Sequence, residues 1–323
     1  MVVLGGVMAG GGAMAWKIGI IGVGKIVEDQ HLPVIAKNPD FILAAVASQR
    51  GVAVDGAPTF RTPAEMYAAV PDLDAVAVCT PPQVRHAHAR AALAAGKHVM
   101  LEKPPAATVG ELDDLADFAA AKGRVLMTTW HSQYNAAVER AKALLSAETV
   151  TRLQVTWKED VRRWHPGQKW IWTAGGFGVF DPGINAFSIV TRIMPTPVFV
   201  RRADLVTPSN SDAPIAASIA FATSASAEGF GAELDWRQTG PQTWDIDVGT
   251  ASGRTLKLSR GGARLDVDGA VAVEKTPQEY EDIYARFATL LAGGGSLVDA
   301  APLKLVADCF LMGRRIATDP FFD

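Results

Sequence analysis

From Lys17 to about Met127 the chain alternates short, fully apolar runs with segments of helical length. The runs KIGII, ILAAVAS, AVAVCT, HVMLE and RVLMTT carry hydrophobic side chains at consecutive positions rather than at every second one. Strands of that kind are buried on both faces, as in a parallel sheet wrapped by crossover helices. Intervening stretches such as 84–95 and 109–121 read as those helices. After a further helix near 136–145 the pattern changes. Segments 150–157, 198–206, 215–223, 227–236, 244–249, 255–259 and 265–267 read as strands joined by Gly, Ser, Pro and Thr. Two helical stretches, 278–291 and 303–316, close the chain. The pattern predicts an α/β Rossmann-type doubly wound parallel sheet over 16–130. An α+β domain with a large open, mostly antiparallel sheet follows over 131–323, its last helices expected to pack back on the first domain.

Residues 1–15 (MVVLGGVMAGGGAMA) are left out of that scheme. They carry no basic stretch and no twin arginine, are broken by glycines and are too short to span a bilayer. They read as a disordered or weakly attached extension, with Met14 as an alternative start. Composition bounds the partners. Hydrophobic residues make up 49%, charged residues 20%, and the net charge is -3 without a basic block. That is an ordinary globular balance with no electrostatic reason to bind nucleic acid or a membrane. Only Cys79 and Cys309 occur, each in an apolar segment. They argue for a reducing compartment, taken as the cytoplasm, and against disulfides or a cysteine metal site. No H-x-x-x-H spacing, paired cysteine or carboxylate cluster suggests a metal, and His86, His88 and His98 read as structural.

Chemistry enters at Gly22-Val23-Gly24-Lys25-Ile26, directly after the first strand run and before a helical pattern. The first glycine permits a tight turn, and the second lets backbone N–H groups approach a pyrophosphate at a helix N-terminus. This context marks 16–130 as a dinucleotide-binding domain. Val27 stands where a third Gly or Ala is usual. At the end of the second strand, Ala47-Ser48-Gln49-Arg50 lacks the acid that accepts from an unphosphorylated ribose. Ser48 and Arg50 suit a 2′-phosphate instead, so NADP is expected, with NAD as the alternative.

Gly96-Lys97-His98-Val99 followed by Glu102-Lys103-Pro104, the Thr80-Pro81-Pro82 segment, and Gly175-Gly176 through Asp181-Pro182-Gly183-Ile184-Asn185 lie far apart in the chain. Together they resemble the glucose–fructose oxidoreductase/inositol dehydrogenase (Gfo/Idh/MocA) family, and the resemblance runs from Lys17 onward. Two positions depart from it: Asn185 stands where the broader family has His, and Arg85 where a histidine usually follows the T-P segment. Asn at that place, with the WKEDVRRWHPGQ segment from Trp157, is similar to the bacterial L-arabinose/D-galactose 1-dehydrogenase subgroup. The resemblance implies a sugar 1-dehydrogenase with Lys103, Asp181 and Asn185 as its catalytic set. Glu159 and His165, with Trp164, Trp236 and His131, would bind the aldose. Gly22 to Ile26, Ser48 to Arg50, Thr80 to Pro82, Glu102 and Lys103 would line the cofactor site. It also implies a cis Lys103–Pro104 bond.

The residue types suit that chemistry. Oxidising an anomeric hydroxyl removes its proton while hydride leaves the same carbon, so a base must reach the hydroxyl. Asp181 qualifies if partial burial raises its pKa, and Lys103 qualifies if burial and a neighbouring cation lower its own. Asn185 orients without titrating. Bland readings compete: His165 as a loop cap, Glu159 paired with Arg162, Asp181 as a turn or N-cap residue, the tryptophans as core. Rival functions are an inositol- or dihydrodiol-type dehydrogenase, or a nucleotide- and sugar-binding sensor without turnover. A homodimer closed over the broad second sheet is the default assembly.

Overall fold

Six strands run parallel in the first sheet of the computed structural model: β1 (Trp16–Ile21), β2 (Phe41–Ala47), β3 (Thr59–Phe60), β4 (Ala75–Val78), β5 (His98–Leu101) and β6 (Leu126–Thr128). The structure describes residues 15–322, so the extension expected at 1–15 lies outside it but for Ala15. The strand order β3-β2-β1-β4-β5-β6 reverses direction between β1 and β4. In such a sheet the loops part at the reversal and leave a crevice at the carboxyl ends of the strands.

Both faces of this sheet are covered, which is why its strands are apolar at successive positions. On one face Ile18, Ile20, Ala75, Ala77 and Met100 pack under a π-helical turn at Val27–His31 and α1 (Leu32–Ile35). On the other, Val76, Val78, Val99 and Leu101 meet α2 (Pro63–Ala69), α3 (Pro82–Ala94) and α4 (Val109–Ala121). A capping box closes the start of α4, with Thr108 and Glu111 satisfying each other's backbone N–H groups.

After α5 (Ala136–Leu145) comes β7 (Val150–Lys158), then α6 (Val161–Trp164) and α7 (Phe180–Ile193). Next are β8 (Phe199–Pro208), β9 (Ala216–Ala222), β10 (Phe230–Asp235), β11 (Thr243–Thr250), β12 (Thr255–Ser259), β13 (Arg264–Val267) and β14 (Ala270–Glu274). The chain ends with α8 (Glu279–Gly293), α9 (Ala301–Leu311) and β15 (Gly313–Thr318). The nine-stranded order is β14-β13-β12-β11-β7-β10-β9-β8-β15, antiparallel except for the β7–β10 and β8–β15 pairs. Leu153, Val155 and Trp157 of β7 point to the face covered by α5, α7 and α9, whereas Gln154, Thr156 and Lys158 point away. That alternation is the signature of a sheet covered on one side.

The expected doubly wound sheet followed by a large, mostly antiparallel one is the observed fold. Differences are local. The segment 303–316 does not stay helical: α9 ends at Leu311, and Gly313 to Thr318 form an edge strand beside β8. A Cβ at Gly313 would lie 2.5 Å from both Cys309 O and Leu205 Cδ1, so only glycine fits where the chain leaves the helix. Strands β3 and β14 also escape the pattern, the first being two residues long and the second almost wholly exposed.

Helix α8 crosses back onto the first sheet. Tyr280, Ile283, Tyr284 and Phe287 lie on its buried face, and Phe287 stacks on Phe41 of β2 at 5.9 Å. Phe287→Ala should therefore leave a cavity under α8 and destabilise the chain by about 3–5 kcal/mol. Urea denaturation of the two proteins measures the difference, and a loss under about 1 kcal/mol would show that α8 is not anchored there.

Candidate active site

Three loops meet at the carboxyl ends of β1, β4 and β5. After β1, Gly22 takes φ +89°, and a Cβ there would meet Thr80 N at 3.0 Å, so glycine is required for the β1 and β4 loops to touch. Gly24 is different: a Cβ on it would meet nothing within 4 Å. The backbone N–H groups of Val23, Gly24, Lys25 and Ile26 find no acceptor among the described residues. Open space before a glycine, with free N–H groups at a helix start, suits an anionic diphosphate. The residues present thus fit a dinucleotide's pyrophosphate. Lys25 is turned aside to Asp29, one helical turn on.

Beyond β2, Ser48 is buried and its Oγ accepts from Val52 N–H inside the turn. Gln49 and Arg50 are exposed, and Arg50 Nη2 reaches back to donate to Val23 O at 2.7 Å. After β4, Pro81 caps α3 and Pro82 begins it. From that helix Arg85, which stands where the family histidine was expected, buries its guanidinium. It donates to the carbonyls of Thr80, Glu102 and Pro104, binding the β4 and β5 loops together.

Glu102 turns its side chain inward, away from the crevice. Its Oε1 accepts from Tyr280 Oη at 2.8 Å and lies 3.1 Å from His31 Nε2, while Oε2 accepts from Lys103 N at 2.9 Å. His31 Nδ1 meets Tyr284 Oη at 2.8 Å. Burial opposes charge on Glu102, but these partners outweigh it and pull the carboxyl down to about 2. His31 is raised well above its ordinary value: burial lowers it, but Cys79, Tyr284 and Glu102 raise it further. His31 and the Glu102 carboxyl thus face each other, both buried, beneath the lysine loop. None of His31, Tyr280 and Tyr284 was singled out from the sequence. The only local signal is the spacing of the tyrosines, one turn apart on the buried face of α8.

The Lys103–Pro104 bond is cis, as the resemblance implied. Lys103 Nζ donates to Asp181 Oδ2 at 3.1 Å and to Asp181 O at 3.0 Å. Asp181 and Asn185 lie one turn apart in α7, whose first turns press Gly183 against Leu234 of β10. His165 Nε2 is 3.5 Å from Asp181 Oδ2 and 4.0 Å from Glu159 Oε1. Glu159 is 3% exposed and accepts from two indoles, Trp236 Nε1 at 3.2 Å and Trp244 Nε1 at 2.7 Å. Lys103 from the loop after β5, Asp181 from α7, Glu159 from the end of β7 and His165 from the end of α6 thus form one cluster, with Asn185 on the same helix as Asp181.

The charges in the cluster are set apart. Burial raises Asp181, yet Lys103 and His165 outweigh it and hold the carboxyl below its ordinary range. This reverses the expectation that burial would raise it. Glu159, whose indole donors only partly offset burial, is pushed up to about 7. Burial lowers His165 and so favours the neutral ring. Trp236 is fully buried, 5.2 Å from the His165 ring, so it props Glu159 and His165 and offers no open face for a sugar. Trp164 packs on Trp244 at 5.3 Å and stays partly exposed. His131 pairs with Glu279 at 2.9 Å, and its ring lies nearly parallel to that of Tyr280. Among the described residues no group of three or more His, Cys, Asp or Glu could hold a metal, and no helix is long and apolar enough to cross a membrane.

Comparison with known proteins adds an independent line. The profile of the oxidoreductase family with an NAD-binding Rossmann fold (GFO_IDH_MocA) matches residues 16–130. A galactose 1-dehydrogenase of Pseudomonas fluorescens is 43% identical over 309 residues, 95% of this chain and 99% of that protein. The crystal structure of a D-galactose-1-dehydrogenase protein from Rhizobium etli superposes with a TM-score of 0.91 at 51% identity, covering 97% of this chain and 100% of that one. A 3-ketoreductase from Actinomadura kijaniata shares the fold at 18% identity, with a TM-score of 0.80 over 94% of this chain and 99% of that one.

The elevation of Glu159 has a consequence for stability. An acid whose folded pKa is about 7 against 4.5 unfolded resists ionisation in the native state, so stability falls as pH rises from about 4.5 to 7 and then levels. Glu159→Gln cannot ionise and should remove that slope, whatever constant cost the misplaced amide adds. Thermal melts of both proteins from pH 5 to 8 measure it, and parallel curves would mean that Glu159 titrates normally.

Proposed function

The chain belongs to the GFO_IDH_MocA oxidoreductase family, and from that membership we propose that it is an NADP-preferring aldose 1-dehydrogenase, oxidising D-galactose or L-arabinose to the lactone. The observation that carries this reading is the Lys103–Asp181 pair, 3.1 Å apart where the β5 loop faces α7, with His165 and Glu159 beside it. Two galactose 1-dehydrogenases more than 40% identical over nearly the whole chain support the substrate class. The absence of an acid after β2, together with Arg50, supports NADP.

When bound, a nicotinamide cofactor supplies the hydride acceptor; the Gly22–Ile26 turn would hold its pyrophosphate. The protein's own residues handle the proton. A substrate hydroxyl entering between Lys103 and Asp181 takes over the Nζ donor, which then stabilises negative charge growing on that oxygen. Asp181 thereby loses the contact that depresses it and becomes a better base at the moment the hydroxyl proton must leave. Lys103 as the base is the variant reading of the same pair. Neutral His165 and Glu159, poised near neutrality, bind the other sugar hydroxyls as donor or acceptor. Asn185 orients the sugar beside Asp181. The two thiols, Cys79 and Cys309, are free, in keeping with a reducing cytoplasm. A homodimer over the uncovered face of the second sheet completes the reading.

Steady-state assays with a panel of aldoses and both cofactors test the proposal. Lys103→Ala and Asp181→Ala should each lower kcat on galactose by roughly 100-fold or more while cofactor binding survives, and Asn185→Ala should cost less. Near-parental turnover in both the lysine and the aspartate variants would overturn the mechanism. Lack of turnover with every aldose would overturn the function.

A further inference from the structure

Arg61 lies one residue past β3, on the carboxyl edge of the first sheet beside the end of β2. The strands are in register there: Ala47 pairs with Phe60, and Ser48 N donates to Phe60 O at 2.8 Å. Arg61 is therefore level with the Ser48–Gly51 turn, the position where a Rossmann sheet meets the adenosine ribose.

Its side chain is fastened to that turn. Arg61 Nη1 donates to Gln49 O at 3.0 Å. The guanidinium lies against Gly51, where a Cβ would stand 2.6 Å from Cζ and 2.8 Å or less from both terminal nitrogens. Gly51, at φ +68°, thus serves twice: it allows the left-handed turn, and it leaves its α-carbon bare so that the guanidinium can lie on it. Arg50 flanks the same turn, tied by a single bond to Val23 O on the dinucleotide loop. Among the described residues neither guanidinium has a carboxylate within ion-pair distance. The acid nearest in sequence, Glu65, spends Oε2 on the backbone N–H of Arg61. Ser48 of the same turn is buried, whereas Gln49 is exposed. Two guanidinium groups at one loop, each held by a backbone carbonyl and neither in an ion pair among the described residues, present a surface for a small dianion.

We propose that Arg61 is the second cation of a 2′-phosphate clamp, facing Arg50 across the Ser48–Gly51 turn, and so determines the choice of NADP over NAD. The inference rests on the NADP reading given above and adds a residue from the next strand. Arg61 sets specificity by touching the cofactor and takes no part in proton transfer.

The test is equilibrium binding to the full chain by calorimetry, with 5′-AMP and 2′,5′-ADP as probes, since they differ only in the 2′-phosphate. The parent should bind 2′,5′-ADP at least about tenfold more tightly than 5′-AMP. Arg61→Leu should lose about tenfold for 2′,5′-ADP and little for 5′-AMP, Arg61→Lys should keep part of the preference, and raised salt should weaken the 2′,5′-ADP titration more than that of 5′-AMP. An equal loss for both probes in Arg61→Leu would make Arg61 an adenine or loop residue and overturn the assignment. So would full retention of the preference in Arg61→Leu with its loss in Arg50→Ala. A parent that does not distinguish the probes would overturn the NADP reading itself, and the clamp with it.

Discussion

The Glu102 carboxylate ties three parts of the chain to one point. A buried carboxylate stays ionised only if donors replace its water, and here they come from the helix after the dinucleotide turn (His31), from α8 (Tyr280) and from the backbone of Lys103. The nucleotide loop, the Lys103 loop and the helix returning from the far end of the chain are thereby brought into contact. Arg85 performs the complementary task from α3, saturating carbonyls of the β4 and β5 loops with one cation.

Above that foundation the site separates two carboxylates by environment. Asp181 lies beside an amino group and an imidazole and is driven toward the anion, while Glu159 lies behind tryptophans and is driven toward the acid. The two are pushed in opposite directions although His165 is within 4.0 Å of both. Such a division lets one cluster accept a proton at one end and donate hydrogen bonds at the other.

The parts legible in the sequence are those written in contiguous residues. Consecutive apolar positions announce β1, β2, β4, β5 and β6, because a strand covered on both faces leaves no polar alternate. Strand β3 is too short for any period. In α7, Pro182 and Gly183 argue against a helix, yet proline is tolerated in a first turn, and the bare glycine lets the helix settle on Leu234. Lys103, Asp181, Glu159 and His165 could be named because each sits in a short motif. Their supports could not. Tyr280 stands 178 positions from Glu102, and nothing local distinguishes its hydroxyl from that of any other amphipathic helix. Trp236 was named only as a partner for the sugar and Trp244 not at all, because an indole looks like core or a stacking face until the carboxylate it holds is known.

The turn at Val27–His31 is wound as a π-helix, wider than the α-helix that follows it. A π-turn is an α-helix carrying one surplus residue, and here the surplus sets the phase at which His31 arrives at Glu102. Losing one codon from this stretch would restore regular winding. The flanks would keep their register, because a π-turn absorbs its surplus residue, but the widened stretch that ends on His31 would be lost. Most surface helices absorb substitution far better than deletion, but here the contrast is sharper. In lineages that retain the buried histidine, the length of this short segment should drift less than its composition.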